Sequence, residues 1–147
     1  MQNEIRIRVA PSLGGGFAGT PQEAWGLETY NPDTDKDKPC LFFGMYGLPD
    51  FYSLWRHKGQ KWILLGGTDI QHFKNGYWLD DSAFGPKISP RPLAIWINDH
   101  CESWVENTVE YDELAALDIK AKIGQSFLGN INDYPICFEP SLKPKVY

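Results

Sequence analysis

No apolar run in this chain exceeds a handful of residues, well short of the roughly 20 that a membrane-crossing helix needs. Basic residues are scattered rather than clustered along a stripe that would follow a phosphate backbone, and the net charge is −5, so nucleic acid is not an expected partner. The opening Met1-Gln-Asn-Glu-Ile-Arg-Ile-Arg8 lacks the apolar centre of a secretory signal and enters a strand pattern at once, so a cytoplasmic location is expected. Cysteine is scarce. Cys40, Cys101 and Cys137 are widely spaced, with no CxxC pair and no His/Cys spacing that suits a metal. They are expected to behave as small buried hydrophobes in a reducing compartment, and neither a metal nor a cofactor is expected.

Aromatic residues are abundant. Six Trp, seven Tyr and eight Phe make up 14% of the 147 residues, enough to fill helix–sheet gaps and to leave rings for a ligand such as a sugar. Charged residues at 22% and hydrophobic residues at 42% are ordinary for a globular domain of this length.

The informative stretch runs from Cys40 to Asp69. Cys40-Leu-Phe-Phe43 reads as a strand apolar on both faces, followed by a turn in which Gly44 and Gly47 flank Tyr46. Pro49 to His57 reads as a helix with Phe51, Leu54 and Trp55 on its apolar side, closed by Lys58-Gly59. Lys61-Trp-Ile-Leu-Leu65 is the next strand, and Gly66-Gly67-Thr68-Asp69 its carboxyl-end turn. Upstream, Glu4 to Ala10 is a first strand, followed by Gly14, Gly15, Gly16 and Gly19 before Thr20-Pro21 and Glu23, a capping-box start for a helix. That loop is either a phosphate- or acceptor-contacting loop or a plain turn. Asn31 to Pro39 reads as a polar surface loop, its Asp33, Asp35 and Asp37 lacking the glycine and distal glutamate of a calcium loop.

Downstream, Gln71 to Lys87 reads as irregular, and a helix starts at Pro90 after Ser89. Cys101 to Val105 is a strand, Asn107 with Glu110 caps a helix to about Leu117, and Ile119 to Ile123 is a final alternating strand. This strand–helix alternation predicts an α/β fold, a Rossmann-like open, mostly parallel sheet with helices on both faces. Residues 1–139 are expected to form that domain and 140–147 a linker.

Phe42-Phe-Gly-Met-Tyr-Gly-Leu-Pro-Asp50, His57-Lys-Gly59, Gly67-Thr-Asp-Ile70, Glu106-Asn107, Glu113-Leu114 and Ser126-Phe-Leu-Gly129 together resemble the N-terminal, acceptor-side domain of GT-B glycosyltransferases, which use nucleotide-sugar donors. The resemblance implies a hexosyltransferase half that binds a glycan or lipid-linked acceptor. The nucleotide-sugar donor would be held by a second domain that this sequence lacks, its tail stopping about where that domain would begin. A homo-oligomer through the exposed cleft face is a possible arrangement.

Ligands of open α/β sheets gather outside the carboxyl ends of the strands. The residues expected there are Asp69, Glu106 and His100 as catalytic candidates, and Gly14, Gly15, Gly16, Tyr46 and Thr68 as substrate contacts. Asp69 reads either as a hydrogen-bond acceptor or base toward an acceptor hydroxyl or as a helix cap, Glu106 as a carboxylate facing the cleft, and His100 either as a base or as a satisfied imidazole. Two other readings stay open: a non-catalytic α/β module that pairs with a separate donor-binding subunit, and a flavodoxin-like domain.

Glycosyl transfer requires donor and acceptor to be oriented together and the leaving diphosphate to be stabilised. The isolated chain, incubated with nucleotide-sugar donors and acceptors, is therefore expected to show no transfer. Turnover detected as donor-derived label on an acceptor would overturn the reading of an incomplete transferase.

Overall fold

The structure, a computed structural model, describes residues 4–13, 25–75, 77–78 and 87–124. Its elements in chain order are β1 (Arg6–Val9), a 3-10 turn (Pro11–Leu13), β2 (Glu28–Thr29), β3 (Cys40–Phe43), α1 (Leu48–Arg56), β4 (Lys61–Leu64), α2 (Thr68–Asn75), β5 (Tyr77–Trp78), β6 (Lys87–Ile88), α3 (Pro90–His100), β7 (Glu102–Val105), α4 (Thr108–Ala115) and β8 (Ala121–Ile123). Among the described residues no helix is long and apolar enough to cross a membrane.

The architecture is a Rossmann-like α/β open sheet. Six strands in the order β2-β1-β3-β4-β7-β8 pair in parallel throughout, and β5 and β6 form a separate antiparallel pair within the β4-to-β7 connection. Numbering the main-sheet strands in sequence order gives 2-1-3-4-5-6, the flavodoxin-type order, with the direction of winding reversing between β1 and β3.

That reversal sorts the two faces of the sheet. From β3 onward every crossover steps the same way, and α1 to α4 all pack on one face. Leu54, Ile70, Phe73, Leu93, Ala94, Ile97 and Leu114 from the helices meet Cys40, Phe42, Ile63 and Val105 from the strands in one buried cluster. Burying each large apolar side chain of such a layer stabilises the fold by about 1.5–3 kcal/mol. The β1-to-β2 connection steps the opposite way, and its described end, Trp25 and Leu27, lies on the other face against Phe43 and Leu64.

Several local expectations are corrected. Residues 71–75, expected to be irregular, belong to α2, because Ile70 and Phe73, one turn apart, both reach the core. Trp55 is 55% exposed and pairs edge-on with exposed Tyr52, so the apolar side of α1 is narrower than its spacing suggests. In the Asn31–Pro39 loop, Asp35 is buried rather than solvated. It accepts the Asn31 N–H at 2.9 Å and pairs with Arg6 and Lys38 at 3.4 and 3.0 Å, and these contacts hold its carboxyl below the usual range. The Thr20 helix start, Cys137 and the 140–147 tail lie outside the described residues.

His57, at the C-terminus of α1, is 1% exposed and stands edge-on to Tyr30 and Phe42 at 5.3 and 5.5 Å between ring centres. Its Nδ1 lies 3.3 Å from the Tyr30 hydroxyl, while Nε2 has no hydrogen-bond partner of ordinary geometry among the described residues. Burial pushes its pKa below the ordinary 6.5, opposed in part by the backbone of Lys38. The unfolded chain therefore binds a proton from about pH 6.5 downward before the native state does. This contribution to stability is complete above pH 6.5 and is lost as pH falls toward the folded pKa, with a slope of at most about 1.4 kcal/mol per pH unit. Urea midpoints measured from pH 7.5 to 5 should fall for the native chain, and His57→Phe should remove the part of that slope due to residue 57. An identical slope in both proteins would contradict it.

Candidate functional site

The carboxyl edge of the sheet is assembled one residue beyond each strand. Ala10 N–H donates to Phe43 O at 2.8 Å, Gly44 N–H to Leu64 O at 2.9 Å and Leu65 N–H to Trp104 O at 3.1 Å, so the ladder carries the ends of β1, β3, β4 and β7 into register. Gly44 takes φ +89, and a Cβ there would lie 3.0 Å from Ala10, Leu13 and the Tyr46 ring. Only glycine lets the chain pass this close beside the β1 end.

Two loops meet on Asp69. This carboxylate, 0% exposed, accepts the Met45 N–H at 3.1 Å from the loop after β3 and the Gly66 N–H at 3.0 and 3.2 Å from the loop after β4. Burial pushes its pKa up, and the backbone N–H groups of Gly66, Met45, Gly67 and Ile70 oppose the rise. Asp69 lies in the first turn of α2 and is sealed beneath the rim. Of the two readings of Asp69, contact with an acceptor hydroxyl and a helix cap, its buried hydrogen bonds at the start of α2 are of the capping kind, and they position two loops.

A second acid organises the next loop. Asp50 Oδ2 accepts the Tyr46 and Gly47 N–H groups at 2.9 and 3.2 Å, closing the N-terminus of α1, while Oδ1 receives Arg8 Nη1 from β1 at 2.6 Å. At the end of β7, Asn107 caps α4 by accepting the Glu110 N–H at 2.9 Å, as expected. The return contact differs: Glu110 Oε2 accepts the N–H of Glu106 at 3.0 Å, and Glu110 Oε1 reaches Gly67, where a Cβ would stand 3.2 Å from it. Gly67 itself has φ +111.

The exposed part of the rim consists of Tyr46, Thr68, His72 and Glu106. The Thr68 hydroxyl lies 3.4 Å from the Tyr46 hydroxyl, and the Tyr46 ring stands edge-on to His72 at 5.6 Å. Burial, together with Asp69 and Asp50, raises the Tyr46 phenol, so it stays protonated and able to donate. Burial, then Glu110 and Asp69, raises the half-buried Glu106 carboxyl, which has no hydrogen-bond or ion-pair partner among the described residues. A half-buried carboxylate of raised basicity can accept a proton from a hydroxylated ligand.

The structure thus brings together Tyr46, Thr68, Asp69 and Glu106. His100 is not among them: it closes α3, which precedes β7, so it lies at the amino edge of the sheet, stacked on Trp96 with its Nδ1 2.8 Å from the Trp96 carbonyl. Of the two readings of His100, base and satisfied imidazole, this placement and the Trp96 contacts are those of a satisfied imidazole. Gly14, Gly15 and Gly16 lie outside the described residues. Burial pushes Cys40 and Cys101 up to about 12, which keeps both as inert thiols. No group of three or more His, Cys, Asp or Glu side chains suited to a metal occurs among the described residues.

His72 and Glu110 are the rim residues that sequence reasoning passed over. Glu110 was legible only as a capping partner, and His72 sits in a helix that was read as irregular. No family model, curated protein or solved structure matches this chain.

Removing Asp69 should unlatch both loops. Asp69→Ala leaves the Met45 N–H buried and the Gly66 N–H unpaired, and orphaned donors cost about 1–3 kcal/mol each, so a loss of roughly 2–4 kcal/mol is expected in chemical denaturation. Asp69→Asn should recover less than half, since its NH2 group faces donors. A loss under about 0.5 kcal/mol for Asp69→Ala would show that the latch contributes little.

Proposed function

We propose that the chain is the acceptor-binding half of a nucleotide-sugar glycosyltransferase, and that the acceptor lies on the rim formed by Tyr46, Thr68, His72 and Glu106. The observation that carries this reading is a half-buried Glu106 carboxyl at the strand carboxyl edge, with no partner among the described residues, on the same edge as the paired Tyr46 and Thr68 hydroxyls. The resemblance of the loops around Tyr46 and Thr68 to the acceptor side of GT-B enzymes supports it.

In this mechanism Glu106 takes the proton of an acceptor hydroxyl. That oxygen bonds to the anomeric carbon of the donor sugar, and the bond from that carbon to the nucleotide diphosphate breaks with its electron pair leaving on the diphosphate. Asp69 and Asp50 hold the loops in place, and the edge-on pair of Tyr46 and His72 offers the C–H face of a sugar ring an aromatic wall. The donor is supplied by a partner domain or subunit.

The strand order favours one second reading. The flavodoxin-type winding, with its switch point between β1 and β3, is the order that places a flavin phosphate at that crevice in other proteins. A fold alone does not carry an activity, and the two readings differ in what binds.

The test is a titration of the isotope-labelled chain with neutral mono- and disaccharides, read from the amides of Tyr46, Gly66, Thr68 and Glu106. Binding at these residues is expected, with Tyr46→Ala weakening it by about five- to tenfold. Shifts confined to the amino edge around His100, or no saccharide response at all, would sink the acceptor reading. Quenching of flavin mononucleotide fluorescence by the chain would replace it with the flavodoxin-like one.

A further inference from the structure

A histidine that closes a helix usually turns its ring to water, where an imidazolium complements the negative dipole end. His57 does the reverse. It is the C-cap of α1, yet it is 1% exposed, enclosed by Tyr30 just after β2, by Phe42 of β3 and by the backbone of the 31–38 loop. That loop is laid across the helix end. Lys58 and Gly59 donate their N–H groups to Lys36 O at 2.8 and 2.9 Å, and a Cβ on Gly59 would lie 2.5 Å from Lys38 O. Within residues 31–37 only Asp35 is buried, tied to the Asn31 N–H, Lys38 and Arg6. The loop gives no apolar side chain to either core cluster, whereas Leu54 anchors α1 and Phe42 anchors β3, both 0% exposed. Segments with few buried apolar contacts open at the lowest free energy, so here the loop yields before the helix or the sheet.

We infer that His57 is the trigger of an acid-responsive clasp: a proton on its imidazole releases the 31–38 loop from the end of α1 and leaves the sheet in place. The clasp lies at the amino edge, opposite the rim, and does not depend on how the rim is read. A protonated ring carries a donor on both nitrogens, and Nε2 has no acceptor of ordinary geometry among the described residues. A charged donor sealed without a partner is costly, and lifting the loop gives it water. The groups facing the ring are divided. Lys61 of β4 opposes the charge, as do Arg56 and Lys58 on either side of His57 in sequence, while Asp35, Asp37 and the Lys38 backbone favour it. Tyr30 and Cys40, both pushed up by burial, Cys40 to about 12, stay neutral. With the loop open the ring titrates near the ordinary 6.5. The open form therefore gains on the closed one by up to about tenfold per pH unit below 6.5, and by up to about thirtyfold from pH 7.5 to 5.

The experiment follows amide hydrogen exchange in the full chain at pH 7.5 and 5, each rate divided by that of an unstructured amide at the same pH. Lys58 and Gly59, whose N–H groups are freed with the loop, should lose protection by about ten- to thirtyfold, and should be less protected at both pH values than the sheet amides of Phe42 and Ile63. His57→Phe keeps an aromatic ring in place and should abolish that loss. Gly59→Ala drives the loop off without touching the ring, so by linkage the imidazole, read from its carbon-bound protons, should titrate closer to 6.5 than in the native chain. Either variant alone decides the matter should the other fail to fold. Three results overturn the inference: a loss at Lys58 and Gly59 below about threefold, protection there identical to that of the sheet amides, or a loss that persists in His57→Phe. An unmoved His57 titration in a Gly59→Ala chain whose Lys58 amide has lost protection overturns it as well.

Discussion

The carboxylate of Asp69 is the point on which the carboxyl edge depends. It is a fully buried acid with no ion pair among the described residues, held by backbone N–H groups from two loops that are 24 residues apart in sequence at the Met45 contact. A buried carboxylate is tolerated only where hydrogen bonds replace its lost hydration. Here the replacement donors are those that the loops after β3 and β4 would otherwise leave unpaired. The acid and the loops satisfy one another, and the rim residues Tyr46 and Thr68 sit on either side of the shared contact. Their hydroxyls come within 3.4 Å because the loops beneath them are latched.

The winding of the sheet explains why function and core separate so cleanly. All four described helices cover one face, so their N-termini at α1, α2 and α4 point to the same edge and deliver three capped turns side by side. The other face, from Ile7 through Phe43 to Leu64, with Trp104 at its margin, is apolar and belongs to the β1-to-β2 side of the topology. The three capped turns therefore share the end of the sheet where ligands of open α/β sheets gather.

Much of this was legible in the sequence, for reasons that differ by element. β3 and β4 announced themselves as short apolar runs bounded by glycine, and their observed limits, Cys40–Phe43 and Lys61–Leu64, differ from the reading by at most a residue. The Asn107 cap was visible because it is local: donor and acceptor are three residues apart. What escaped was non-local or weakly patterned. The ion pair of Arg8 with Asp50 spans 42 residues, and no spacing rule links them. The helix at Thr68–Asn75 has only Ile70 and Phe73 to mark its buried side, too short a pattern to stand out from a loop. His100 was misplaced for a simpler reason. Adjacency to a strand in sequence says nothing of which end, and a residue before a parallel strand necessarily lies at the amino edge, away from the ligand side.

The acids at the edge are sorted by hydrogen bonding rather than by position. Asp50 and Asp69 each accept two backbone donors, Glu110 accepts one, and each is thereby committed to structure. Glu106 differs in that its backbone is held while its carboxyl has no partner among the described residues. Burial raises the Glu106 pKa, and Glu110, the residue that fixes its N–H, adds a second negative charge nearby, as does Asp69. Saturated acids thus serve as a fixed negative frame around one unsaturated acid, whose proton affinity they increase and whose main chain they immobilise. At this edge one side chain, Glu110, both holds the Glu106 main chain and adds a negative charge near its carboxyl.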